Sequence, residues 1–135
     1  MMSLKIVMSM IGKIYTTVFK YYDRALKQMS LKNRPILIIG KADKDDYIVL
    51  PISSITIKKN IDQNFDICII PNNFPNIKLK KVSYIRTHKP STLHQGELIK
   101  EICDLKKEYP ELFFEIMSKV NEFNCMLIND YLKSF

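Results

Sequence analysis

The chain has 135 residues, of which 47% are hydrophobic, with 21 basic residues against 14 acidic ones and a formal charge of +7. That length suits one domain over residues 1–135 with a core of its own, and no apolar run is long enough to cross a bilayer. The basic excess favours a polyanionic partner, nucleic acid before any other.

The opening, MMSLKIVMSMIG, is Met-rich but short and interrupted. No small-residue cleavage site follows it, so it does not read as a signal peptide. Cys68, Cys103 and Cys125 each sit among apolar neighbours, and none is close in sequence to another Cys or to a His. That spacing argues against a zinc site, so no metal is expected, and it predicts reduced, mostly buried thiols in a cytoplasmic protein.

The first predicted strand spans residues 11–17 and shows partial alternation of apolar and polar residues. After it, FKYYDRALKQMSLKN places Val18, Tyr22, Ala25 and Met29 close to helical spacing, and Tyr21 and Leu26 widen that stripe. The pattern predicts a short helix or an ordered loop. Two nearly continuous apolar runs follow, 35–41 and 47–52, as expected of strands buried on both faces. Residues 43–46 supply turn chemistry between them. Further strands are predicted at 65–70 and 82–86. Between them, PNNFPN is a turn and cannot be an interior strand.

In the last third the period changes. GELIKEICDL fits either a strand or a helix; the reading preferred is a last short strand near 98–103, followed by a turn at Asp104. Beyond it, Leu112, Phe113, Ile116, Met117, Val120, Phe123, Leu127 and Tyr131 form one stripe of a long helix laid against the sheet. Pro110 is tolerated in its first turn, and Glu108 and Glu111 suit its positive end. Five to six antiparallel strands and a terminal helix predict a mainly β or α+β fold, a small barrel with a helical cover.

One place in this layout gathers chemistry. If 35–41 and 47–52 pair as a hairpin centred near residues 43–44, Arg34 and Ser53 are almost equidistant from the turn and meet at one sheet edge. A guanidinium fork beside a hydroxyl is a phosphate site. Ser54, Lys32, Lys13, Lys41, Arg86 and Thr87 are the nearest candidates for further phosphate contacts. His88 follows Arg86 and Thr87 at the end of the fifth strand, and its reference pKa of ~6.5 suits acid–base work near neutrality. The competing reading makes it a surface histidine beside Lys89. Lys58, Lys59, Lys78, Lys80 and Lys81 are expected further off, as solvated surface or as contacts for a protein partner.

KNRPILII followed by YIVLPISS resembles the central signature of the PemK/MazF family of toxin endoribonucleases. GKIY at 12–15 is similar to that family's opening strand, and VSYIRTHKPSTL at 82–93 resembles its later strand and turn. The resemblance covers the chain from about Ile11 onward. It departs at Lys13, where the family carries an acidic residue. It implies an SH3-like barrel with the catalytic arginine at Arg34 and the catalytic hydroxyl at Ser53. It further implies metal-independent and cofactor-free cleavage of single-stranded RNA, in which 2′-hydroxyl attack leaves a 2′,3′-cyclic phosphate and a 5′-hydroxyl. The partner it implies is an antitoxin, either an acidic protein or a structured RNA, and homodimers are usual in that family. The alternative is a barrel that binds RNA or protein without catalysis. No basic amphipathic helix supports a role at a membrane surface.

Overall fold

The structure, a computed structural model, describes residues 9–135, with Phe19 described through its backbone alone; the expectation for the Met-rich opening lies largely outside the described residues. Two long strands carry the fold. β1 (Lys13–Asp23) and β2 (Gln28–Asp43) pair antiparallel without a register shift, from Ile14 opposite Leu37 to Asp23 opposite Gln28. β3 (Asp46–Ser53) returns along β2, with Ile36 opposite Pro51 and Leu37 opposite Leu50. β4 (Asp66–Ile69), β5 (Ser83–Arg86), β6 (Ser91–His94) and β7 (Leu98–Asp104) complete one curled antiparallel sheet. Its strand order is β4-β5-β3-β2-β1-β7, and β6 pairs with β3 off that path. A short turn of helix, α1 (Leu105–Glu108), leads into the long α2 (Pro110–Lys133).

The continuous apolar runs of β2 and β3 follow from burial on both faces. Leu37, Leu50, Ile52 and Ile85 face the main core with Leu112, Phe113, Ile116 and Val120 of α2. Ile36, Ile38, Tyr47 and Val49 face a smaller second core with Leu93 of β6. Each such fully buried side chain contributes about 1.5–3 kcal/mol. β6 contributes little beyond Leu93, because its other three residues are exposed. A four-residue strand with one inward apolar side chain leaves almost no periodic signal, which is why no strand is expected there from sequence.

Gly12 locks the sheet to α1. Its N–H donates to Ile38 O at 2.7 Å, and its carbonyl accepts from Leu105 N at 2.8 Å. Its φ is +94°, and a Cβ there would collide with Lys106 Cβ. Only glycine meets both demands.

Three expectations are corrected. The segment after the first strand is no helix but the distal half of the β1–β2 ladder, an arm whose turn is closed by Asp23 Oδ1 accepting from the N–H groups of Ala25 and Leu26. Val18 and Tyr22 are four residues apart, a spacing that shares a face in a strand as well as in a helix. The β-branched and aromatic run TTVFKYY then settles the conformation in favour of strand. α2 is as long as predicted, but its buried residues stop at Val120, and Leu127 and Tyr131 are exposed. Of the cysteines only Cys103 is buried. Cys68 sits at the outward position of β4, and Cys125 lies on the part of α2 beyond the core.

Candidate functional site

The edge where β2 enters the sheet and β3 leaves it opens into a cleft of about 590 Å³. Carrying the β2–β3 register two residues past Ile36 and Pro51 sets Arg34 opposite Ser53, on one face of the sheet. Both line the cleft, and both are half-buried. Lys32 and Ser54 line it beside them. Pro35 fixes φ at the strand entry, so the residue before it is held extended.

The opposite wall is the loop after β4. Lys78, Lys80 and Lys81 line the same cleft. Sequence reasoning set these lysines apart from Arg34, because nothing local reports a contact across more than forty residues of chain. The loop is firmly seated. Ile77 is 2% exposed in the main core. Tyr109 accepts from Asn76 N at 3.1 Å and meets Phe74 edge to face at 5.1 Å. Lys78 adopts a left-handed backbone, φ 58° and ψ 35°, which turns the chain into the wall. Ser83 Oγ donates to Lys81 O at 3.0 Å and holds the loop's far end.

The floor between the walls is apolar, made by Ile52, Ile77 and Ile102. Lys32, Arg34, Lys78, Lys80 and Lys81 thus surround an apolar slot, and no carboxylate among the described residues pairs with any of them. Cations gathered without counter-charges repel one another, and a polyanion relieves that repulsion. The arrangement suits a chain with phosphates on its rim and flat apolar groups inside.

The other sequence candidates lie elsewhere; Lys13, Arg86 and Thr87 have partners of their own, Lys41 is exposed, and the buried Nδ1 of His88 has no hydrogen-bond partner among the described residues. Lys13 Nζ pairs with Glu101 at 3.1 Å across the β1–β7 edge, and the Tyr15 hydroxyl donates to the same carboxylate. Lys41 lies at the far end of β2, opposite Tyr47, and is exposed. Arg86 forks onto Asp66, with Nε to Oδ1 at 3.0 Å and Nη2 to Oδ2 at 3.3 Å, and also donates to Asn60 O. The Asp66 side chain is wholly buried. Thr87 is fully buried, and its hydroxyl donates to Phe65 O at 2.6 Å. His88 packs against Phe65 and Phe123, with ring centroids at 5.9 and 6.3 Å, and those two rings meet edge to face at 5.4 Å. Its Nδ1 lies 3.8 Å from Asp66 Oδ1, beyond hydrogen-bond length. Arg86, Thr87 and His88 therefore tie β5 to β4 and to α2, and none of them lines the cleft. His94 caps a turn by accepting from Gly96 N.

Two ionisations fit this division. Burial pushes the Asp62 carboxyl upward, but the N–H groups of Asn64 and Phe65, with His88 and Arg86 nearby, outweigh it and hold its pKa below the usual value. Burial, then the carboxylates of Glu108, Asp104 and Glu101, push the Cys103 thiol up to about 11, with Lys78 opposing. Cys103 is accordingly an unreactive core residue. A second groove of about 350 Å³ is lined by Ile39, Ile48, Pro90, Val120 and small polar neighbours, with no charged residue among the described ones in its walls.

No protein-family model matches the chain, and no curated protein is similar to it. Among the described residues, no helix is long and apolar enough to cross a membrane.

Proposed function

We propose that the cleft binds single-stranded RNA and that the protein is a metal-independent endoribonuclease of the kind its resemblance to PemK/MazF toxins implies. The observation that carries this reading is the alignment of Arg34 and Ser53 on one rim of a cleft that no acidic residue lines among the described residues. Arg34 stays charged throughout and spreads two N–H donors over the phosphate oxygens as negative charge grows there. Ser53 holds the ribose 2′-oxygen or a phosphate oxygen. The 2′-oxygen bonds to phosphorus while the bond to the 5′-oxygen breaks, and the proton leaving the 2′-hydroxyl is returned to the 5′-oxygen through water. Atoms and charge balance without a metal or co-reactant. Arg86, Thr87 and His88 take no part, because the fold commits them to Asp66, Phe65 and Phe123.

One observation favours a second reading, binding without cleavage: among the described residues, no imidazole, carboxylate or thiol lines the cleft. A single assay separates the two. Incubated with single-stranded RNA in EDTA, wild-type protein should leave 2′,3′-cyclic phosphate ends, and Arg34→Ala should lose cleavage about a thousandfold. RNA that is retained by the wild type but never cut selects the binding reading. Arg34→Ala protein that cuts as fast as the wild type removes the site.

A further inference from the structure

The β1–β2 ladder continues well past the cleft, and its alternation is unbroken. Ile14 and Leu37 face the main core. Two residues on, Thr16 and Pro35 line the cleft, as does Asn33 after them. The same face then carries Val18, Lys20, Tyr22, Met29 and Leu31 along the arm. Here Tyr22 is 57% exposed, Met29 60% and Leu31 66%. β7 pairs with β1 only as far as Thr17, and the β3 pairing of β2 begins at Ile36, so no third strand among the described residues covers the arm. One surface thus passes from core, along the Thr16, Pro35 and Asn33 lining of the cleft, to an open ribbon without changing sides. Lys20 lies beside Tyr22 on that face, with Arg24 and Lys27 in the turn beyond.

From this continuity we infer that the arm is a track for the RNA strand as it leaves the cleft, with Tyr22 as the platform on which a flanking base stacks. The inference rests on the reading of the cleft as an RNA site. Tyr22 stands about 20 Å along β1 from Thr16, at the rise of a β-strand. Only a strand longer than the cleft itself reaches it. An aromatic face next to an ammonium group is the usual platform for a base joined to its phosphate, and it tolerates any base. The apolar neighbours Met29 and Leu31 keep water from the stacked ring.

The test compares two oligonucleotides and three variants. A fluorescent single-stranded oligouridylate of twelve residues is titrated by anisotropy, and a uridine dinucleotide by calorimetry. Tyr22→Ala should weaken the long oligomer about tenfold and leave the dinucleotide unchanged. Tyr22→Phe, which keeps the ring, should bind both as the wild type does. Arg34→Ala should weaken both. If Tyr22→Ala binds the long oligomer as tightly as the wild type while Arg34→Ala does not, the track is wrong and the cleft stands. If the wild type binds neither RNA, the cleft reading fails and takes the track with it. Sedimentation of the same variants supplies the remaining outcome. A dimer that Tyr22→Ala converts to monomer, with RNA affinity unchanged, makes this face a contact between copies and overturns the inference.

Discussion

Two arginines stand on the strands either side of β3, and their surroundings differ in every respect that matters. Arg86 has spent its donors on a buried carboxylate and a backbone carbonyl. Arg34 faces three lysines across an open slot, with Lys32 beside it, and has no carboxylate partner among the described residues. Electrostatics that are satisfied internally build a scaffold, while charge left unsatisfied on a rigid frame is available to something outside. By that criterion Arg34 is the residue to watch, ahead of Arg86 and His88, which the sequence alone also offers as candidates.

The contrast is broken most severely by exchanging which arginine is lost. Arg86→Ala leaves the Asp66 carboxylate buried without its guanidinium, with only the Asp62 N–H among the described residues still donating to it, and should cost about 3–5 kcal/mol in urea denaturation. Arg34→Ala should change stability by no more than about 0.5 kcal/mol, because no described side chain depends on it. Similar losses in the two variants would erase the distinction. The lysine wall gives a smaller effect. Each of Lys80→Ala and Lys81→Ala should flatten the slope of log affinity against log salt by about 0.7 for a single-stranded oligomer, and Lys59→Ala, outside the cleft lining, should leave it unchanged. An unaltered slope in all three would return the lysines to ordinary surface.

The smallest effect belongs to the scaffold end. Asp62 has a pKa lowered in the folded state. The unfolded chain therefore holds this proton more tightly, and the stability it contributes is present above about pH 4. That contribution is lost as pH falls through the lower, folded value. In thermal melts, Asp62→Asn should show a shallower decline below about pH 4 than the wild type does. Parallel curves would assign the acid sensitivity to other carboxylates.

Much of the sheet was legible because burial on both faces leaves an unmistakable apolar run, as in Ile36, Leu37 and Ile38. The Arg34–Ser53 alignment was legible because hairpin pairing is a matter of counting from the turn. The role of Arg86 was available by the same counting, since Asp66 lies opposite it in the β4–β5 register, but that pairing was not drawn. The lysine wall was beyond reach. Its approach to Arg34 depends on where Ile77 and Tyr109 anchor a loop, and no periodicity encodes that. The arm was misread because a four-residue spacing fits a strand as well as a helix, and the α2 stripe was overextended because periodicity reports an amphipathic face and not whether anything covers it.

The pairing of β7 with β1 has a temporal side. Hairpins from β1 to β3 close over short stretches of chain, but β1 gains its outer neighbour only when residues 98–104 are available. Joining such distant segments costs more chain entropy and slows folding. Ile102, part of the slot's floor, arrives with that last strand. During synthesis the grip on a phosphate chain is thus assembled late, after Arg34 has long been in place on an unfinished sheet.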